Sequence, residues 1–141
     1  MARYSRRTVL RRCGDRYRLI STSININPQR GEIWRVELDP VRGSEQVKQR
    51  PVVVLNEPNV GRLSIRICVP VIHRLPIHSK LFWCTQLRPT VSSGLTKISS
   101  ADSAQIRALD LVRFTSKLGV VTAFELDAIA AAVAACAGYK Q

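Results

Sequence analysis

Residues Arg30 to Leu55 read RGEIWRVELDPVRGSEQVKQRPVVVL. Gly31 to Leu38 predicts a strand, with Trp34, Val36 and Leu38 on one face and Glu32, Arg35 and Glu37 as polar positions. Asp39-Pro40 ends it. Val41 to Arg50 reads as a polar loop in which Gly43 allows a tight approach. Pro51 to Leu55 is a continuous, β-branched apolar run, too short for a helix, and predicts a buried strand. Arg50 therefore sits at the mouth of a buried strand, a rigid place for a functional cation. A guanidinium grips phosphate through a bidentate fork and keeps its charge at neutral pH. Around it, Ser44, Glu45, Gln46, Lys48 and Gln49 supply a hydroxyl, a carboxylate, two amides and an ammonium. On residue types alone this loop reads equally as a solvated connection with no chemical role.

Downstream, Asn56 to Arg62 holds Pro58 and Gly61 and should turn. Ser64 to Ile72 alternates, with Ile65, Ile67, Val69 and Val71 facing one way. Arg74 to Lys80 reads as a basic loop, Leu81 to Leu87 as a strand, Pro89 to Lys97 as a Ser/Gly loop, and Ala104 to Leu109 as a short strand. Leu111 to Leu118 predicts one or two helical turns ended by Gly119. Thr122-Ala-Phe-Glu125 has the form of a capping box, in which the Thr hydroxyl accepts a backbone N–H and the Glu side chain reaches back. Phe124, Ile129, Val133 and Cys136 form a helical stripe, and Gly138 is a terminator. Five strands and one good helix in 141 residues predict one small, mostly antiparallel barrel with an appended helix.

Charge points to the partner. There are 22 Lys+Arg against 10 Asp+Glu, net +12. Residues 1–29 hold seven Arg and one Asp; residues 30–141 hold 15 Lys+Arg and nine acids, so each part is +6. The body is basic without its leading segment, and such a field favours polyanions, nucleic acid foremost. The longest clean apolar run, Ala128 to Ala137, is half of the roughly 20 residues that a bilayer span needs. Cys13, Cys68, Cys84 and Cys136 show no C-x-x-C spacing, and His73 and His78 complete no zinc pattern, so no metal is expected. Cys68 and Cys136 read as small buried hydrophobes, reduced in a cytoplasmic protein, although four cysteines leave pairing open. Arg6-Arg7 suggests a twin-arginine export signal, but Arg11-Arg12-Cys13-Gly14-Asp15 follows where an apolar stretch is required. Residues 1–28 therefore read as a basic, flexible arm, and 29–141 as the domain.

The first block, R-G-E-I-W from Arg30, D-P-V-R-G-S-E-Q from Asp39 and R-P-V-V-V from Arg50, resembles the opening of the MazF/PemK family of toxin endoribonucleases. Cys68-Val-Pro-Val-Ile72 resembles that family's third strand, and Gln105-Ile-Arg107 its D-Q-[IV]-R strand. The match spans residues 30 to about 139. The resemblance implies an SH3-like (CcdB/MazF-type) antiparallel β-barrel with a C-terminal helix, usually a homodimer. It implies metal-free, cofactor-free, sequence-specific cleavage of single-stranded RNA by attack of the 2′-hydroxyl. It also implies an antitoxin partner whose acidic C-terminal tail lies in the RNA groove.

Carried over residue by residue, the resemblance makes Arg50 the cation at the scissile phosphate and Glu45 a candidate base. Ser44, Gln46 and Lys48 would line the groove, and Gln105 and Arg107 would contact RNA, Gln105 at a base edge. After Val71-Ile72 the family pattern expects Thr or Ser, and His73 stands there instead. An imidazole there is either a substitute base or the mark of a relative that binds RNA or antitoxin without cutting. Among related toxins that share the barrel, the CcdB type poisons gyrase; the R-P strand and the G-S-E-Q loop argue for RNA cleavage. Trp34 could stack a base, but it fits barrel packing better. His78 reads as a satisfied loop residue.

Overall fold

The computed structural model describes residues 3–13, 16–38, 49–57, 59–61 and 64–140, as backbone only over 3–25. Its strands are β1 (Arg3–Cys13), β2 (Arg16–Ile26), β3 (Glu32–Glu37), β4 (Gln49–Val54), β5 (Ile65–His73), β6 (Cys84–Leu87), β7 (Ser99–Asp102), β8 (Arg107–Asp110) and β9 (Phe114–Val120), followed by helix α1 (Ala123–Cys136). β1 and β2 pair antiparallel from Arg3 opposite Ile26 to Cys13 opposite Arg16. The leading segment, read from its charge as a basic, flexible arm, contains a two-stranded ribbon. It is also joined to the domain before residue 29. Ile26 is 1% exposed inside the core, and Arg66 on β5 donates to the Pro28 carbonyl at 2.9 Å and to Asn27 Oδ1 at 3.1 Å.

The other seven strands form one antiparallel sheet, ordered β6-β7-β5-β4-β3-β9, with β8 also on β5. β5 is the long, shared strand. Its first half pairs with β8 and its last three residues with β7, while β4 takes the opposite edge. The sheet is barrel-like but open, since no pairing joins β6 to β9 among the described residues.

The curved sheet buries apolar side chains on both faces. Trp34, Val36, Val52, Val54, Cys68 and Phe114 meet in one cluster, where the Trp34 and Phe114 rings pack edge to face at 5.9 Å. Ile33, Val53, Val69, Val71, Leu87 and Ile129 meet in the other, beneath the helix. Both faces of β4 are therefore covered, which is why Val52 to Leu55 is an unbroken apolar run. Each such valine contributes roughly 1.5–3 kcal/mol by leaving water. Burying Trp34 requires a partner for its indole N–H, and Glu32 accepts it at 2.6 Å while also pairing with Lys117 at 3.3 Å.

The elements differ from expectation in several places. Leu111 to Leu118 gives a single tight turn over Leu111–Arg113 and then strand β9, because pairing with β3 claims the backbone. Strand β7 was not anticipated. The helix starts at the Thr122 capping box as expected, but Phe124 is 84% exposed and Cys136 is exposed. The packed stripe is instead Leu126, Ile129 and Val133.

A cationic rim and cavity as the candidate nucleic-acid site

Arg50 stands second in β4, opposite Val36 of β3, and is half-buried. No carboxylate pairs with it among the described residues, where the ion pairs are Arg30–Glu57 and Lys117–Glu32. A guanidinium fixed at the end of a core strand presents a fork of N–H donors suited to a phosphate. Ser44, Glu45, Gln46 and Lys48 lie outside the described residues, in the stretch that feeds directly into Gln49.

His73 ends β5 and is exposed; its backbone pairs with Ser99. β4 and β5 run antiparallel, so Arg50 and His73 share one end of the sheet. They do not share a face. The register sets Val52 opposite Pro70 and Val53 opposite Val69. Two residues further along both strands, Arg50 comes opposite Ile72, and His73 falls on the Pro51 face. A one-residue step along a strand moves a side chain to the other side. If that register continues to the strand ends, Ile72 rather than His73 falls on the Arg50 side, and its side chain has no exchangeable proton.

On the His73 side lies a cavity of about 280 Å³. Arg35 and Lys97 supply its cationic groups, His73 an imidazole, and Thr96 and Ser99 its hydroxyls. Pro51, Val71, Leu95 and Leu118 make an apolar wall, and no carboxylate lines it among the described residues. Arg35 reaches it because Cα pairing places Arg35 directly opposite Pro51. Sequence reading used Arg35 only as a polar strand position and Lys97 only as a loop end. The available signal was the odd-numbered parity that Arg35 shares with Ile33 on β3.

The wall carrying Leu95 to Lys97 is held by a turn with little freedom. Thr90 and Ser93 each donate their backbone N–H to the other's hydroxyl, at 2.9 and 3.0 Å, and the Ser93 hydroxyl donates to the Arg88 carbonyl at 3.0 Å. Gly94 at φ +68° and Gly119 then let this loop lie against β9. A Cβ on Gly94 would sit 2.0 Å from the Leu118 carbonyl oxygen, and one on Gly119 would sit 2.1 Å from that of Ser92. The cavity is preformed.

Gln105 and Arg107 are exposed but stand elsewhere. Arg107 pairs with Cys68, five residues back along β5 from His73, about 16 Å at strand rise. Gln105 donates to Asp102 Oδ2 at 2.7 Å. His78 is buried; its Nδ1 accepts the Leu75 N–H at 3.1 Å and lies 3.1 Å from the Ser100 hydroxyl, a satisfied residue as expected. Burial pushes the Cys68 thiol up to about 12, against the nearby Arg66 and Arg107 charges. Cys68, Cys84 and Cys136 are free thiols. Among the described residues, no three of His, Cys, Asp and Glu cluster as metal ligands, and no helix is long and apolar enough to cross a membrane.

Comparison with known proteins adds three findings. Residues 29–136 match the family described as PemK-like, MazF-like toxin of type II toxin-antitoxin system. The endoribonuclease MazF9 of Mycobacterium tuberculosis is 37% identical over 101 residues, 70% of this chain and 86% of the relative. In fold, the chain is similar to a solved MazE-MazF structure from Deinococcus radiodurans (TM-score 0.66, 21% identity, 81% of this chain and 98% of that one). It is likewise similar to an endoribonuclease in complex with its cognate antitoxin from a mycobacterial species (TM-score 0.57, 18% identity, 82% and 97%).

Proposed function

We propose, for a chain that belongs to the family of PemK-like, MazF-like toxins of type II toxin–antitoxin systems, that it cleaves single-stranded mRNA at short sequences by attack of the RNA's own 2′-hydroxyl, with no metal ion. The observation that carries this reading is Arg50, a half-buried guanidinium at a strand end with no carboxylate partner among the described residues.

The chemistry needs three things. The 2′-oxygen bonds to phosphorus and loses its proton, the bond from phosphorus to the 5′-oxygen breaks, and that oxygen gains a proton. The products are a 2′,3′-cyclic phosphate and a 5′-hydroxyl. Arg50 would hold the phosphate and steady the charge that grows on its oxygens, where a preorganised donor acts most strongly. The two proton transfers would fall to Glu45 and His73. Glu45 stands five residues before Arg50, and His73 is at the same end of the sheet. Ser44, Gln46 and Lys48 would line the RNA path through their loop. Exposed Gln105 and Arg107 would meet RNA away from the cleaved bond. Residues 29–141 would be the toxin domain, and the basic ribbon before it would add attraction for polyanions. The solved MazE-MazF structure and the endoribonuclease solved with its cognate antitoxin support an antitoxin partner, whose acidic tail would cover the same cations, and we infer a homodimer working in the cytoplasm.

Ile72 opposite Arg50 favours a second reading, a relative that binds RNA or antitoxin and does not cut. One experiment separates the two. Long unstructured RNA is incubated with purified protein in EDTA and its ends are mapped. Discrete cuts that vanish with Arg50→Ala support the nuclease; an intact substrate at high protein concentration supports the binder. His73→Thr beside His73→Ala then tells whether the imidazole moves a proton.

A further inference from the structure

We propose that the cavity between β3, β5 and the Gly94–Lys97 loop is a nucleotide subsite, in which Arg35 and Lys97 take a phosphate adjoining the scissile one and the apolar wall takes its nucleoside. The proposal rests on the RNA reading above and adds to it two residues that no role had been given.

Four observations carry it. Arg35 and Lys97 converge with His73 on a single cavity of about 280 Å³ that no carboxylate lines among the described residues. Neither Arg35 nor Lys97 has an ion-pair partner among the described residues. A site with surplus positive charge and no counter-ion awaits an anion. Its remaining surface is not that of a bare anion site, because Pro51, Leu95 and Leu118 offer apolar surface and Thr96 and Ser99 two hydroxyls. Cations, hydroxyls and apolar surface together match a nucleotide; an acidic side chain would use the cations alone. Position supplies the third support: the cavity shares Pro51 with the strand of Arg50, so an RNA crossing the sheet end passes from one to the other. Finally, Gly94, Gly119 and the Thr90–Ser93 turn fix the loop wall in place, so binding costs little ordering.

The test uses the full chain and a fluorescein-labelled 12-nucleotide RNA whose 2′-positions are all methylated, so that it binds without being cut. Anisotropy titrations at several KCl concentrations compare the unaltered protein with Arg35→Gln, Lys97→Gln, the double variant and Lys140→Gln as a distant control. Each single substitution should weaken binding about 5- to 10-fold and lower the slope of log affinity against log salt by about 0.7, with the double variant near the sum and the control unchanged. Equal affinities and slopes for all variants would overturn the subsite. Amide NMR on the unaltered protein supplies a second readout, independent of any variant. Uridine 5′-monophosphate should shift Leu95, Thr96, Ser99 and Leu118, and inorganic phosphate should leave Leu118 in place. Equal shifts with both reduce the cavity to an anion site and overturn the nucleotide assignment. Shifts with a Glu-rich peptide and none with the nucleotide would assign the cavity to an acidic partner, and also overturn it. Because the probe cannot be cut, a protein that binds it through Arg35 and Lys97 but leaves natural RNA intact keeps the subsite and loses the nuclease. The reverse result keeps the nuclease and loses the subsite.

Discussion

In the proposed reaction Arg50 holds the phosphate, and the geometry of a guanidinium says why lysine would not replace it. Arg50 stands near the start of β4, two residues before three fully buried valines, so the root of its side chain is held by the core strand. Arg50→Ala should lower the cleavage rate by about 10²–10³, and Arg50→Lys should restore only part of it, because an ammonium cannot make the bidentate contact. Single-turnover rates on one mapped site would measure both. At Cys68 the environment predicts chemical silence. Folding raises this thiol from 9.0 to about 12, so it contributes stability that is present below pH 9 and lost as pH rises toward 12. Iodoacetamide at pH 8.5 should label Cys136 readily and Cys68 only after unfolding, read by peptide mass. Arg50 was legible in the sequence because an Arg directly before an apolar run needs no three-dimensional information. The relation between Arg50 and His73 was not, since it depends on strand register, and a one-residue difference exchanges Ile72 for His73 on the facing side.

Among the elements, α1 owes its start to a reciprocal cap. The Thr122 hydroxyl accepts the Glu125 N–H at 3.1 Å, and Glu125 accepts the Thr122 N–H at 3.0 Å. Thr122→Ala should cost about 1 kcal/mol in chemical denaturation, with the midpoint moved and the slope unchanged. Gly119→Val should cost more and also disturb the cavity, because its side chain would collide with the backbone of Ser92 and Ser93. Amide shifts at Leu95 to Lys97 would record that displacement. The strands with plain alternation, β3 and β5, and the apolar β4 were readable from pattern alone. Those misjudged share physical reasons. In β9, Phe114 and Leu118 lie four apart, a helical spacing, and the two register shifts where β9 meets β3 break the period of two that would have revealed a strand. In β7, Ser99-Ser-Ala-Asp102 has weak strand propensity, and its pairing with β5 and β6 overrides that. On the helix, Phe124 and Ile129 are five residues apart, about 140° around the axis, so both cannot face the core.

For the whole molecule, net charge of +12 should dominate encounter with RNA. Affinity for a single-stranded RNA should fall steeply with salt. Replacing Arg7, Arg11 and Arg18 of the leading ribbon with Gln should lower the log–log slope by about 2 if all three neutralise phosphates. Composition and charge were enough to name a polyanion as partner. They could not reveal the ribbon's pairing, which depends on two segments 11 residues long finding one register. The central claim is that Arg50 grips one phosphodiester while the neighbouring ribose oxygen displaces the next nucleoside. The direct measurement is mass analysis of the 3′-ends made from a defined RNA in EDTA, for the unaltered protein and for Arg50→Ala. The account predicts 2′,3′-cyclic phosphate ends at discrete sites with the former and intact RNA with the latter. Cuts that persist undiminished in Arg50→Ala, or that leave 3′-hydroxyl ends, would contradict it.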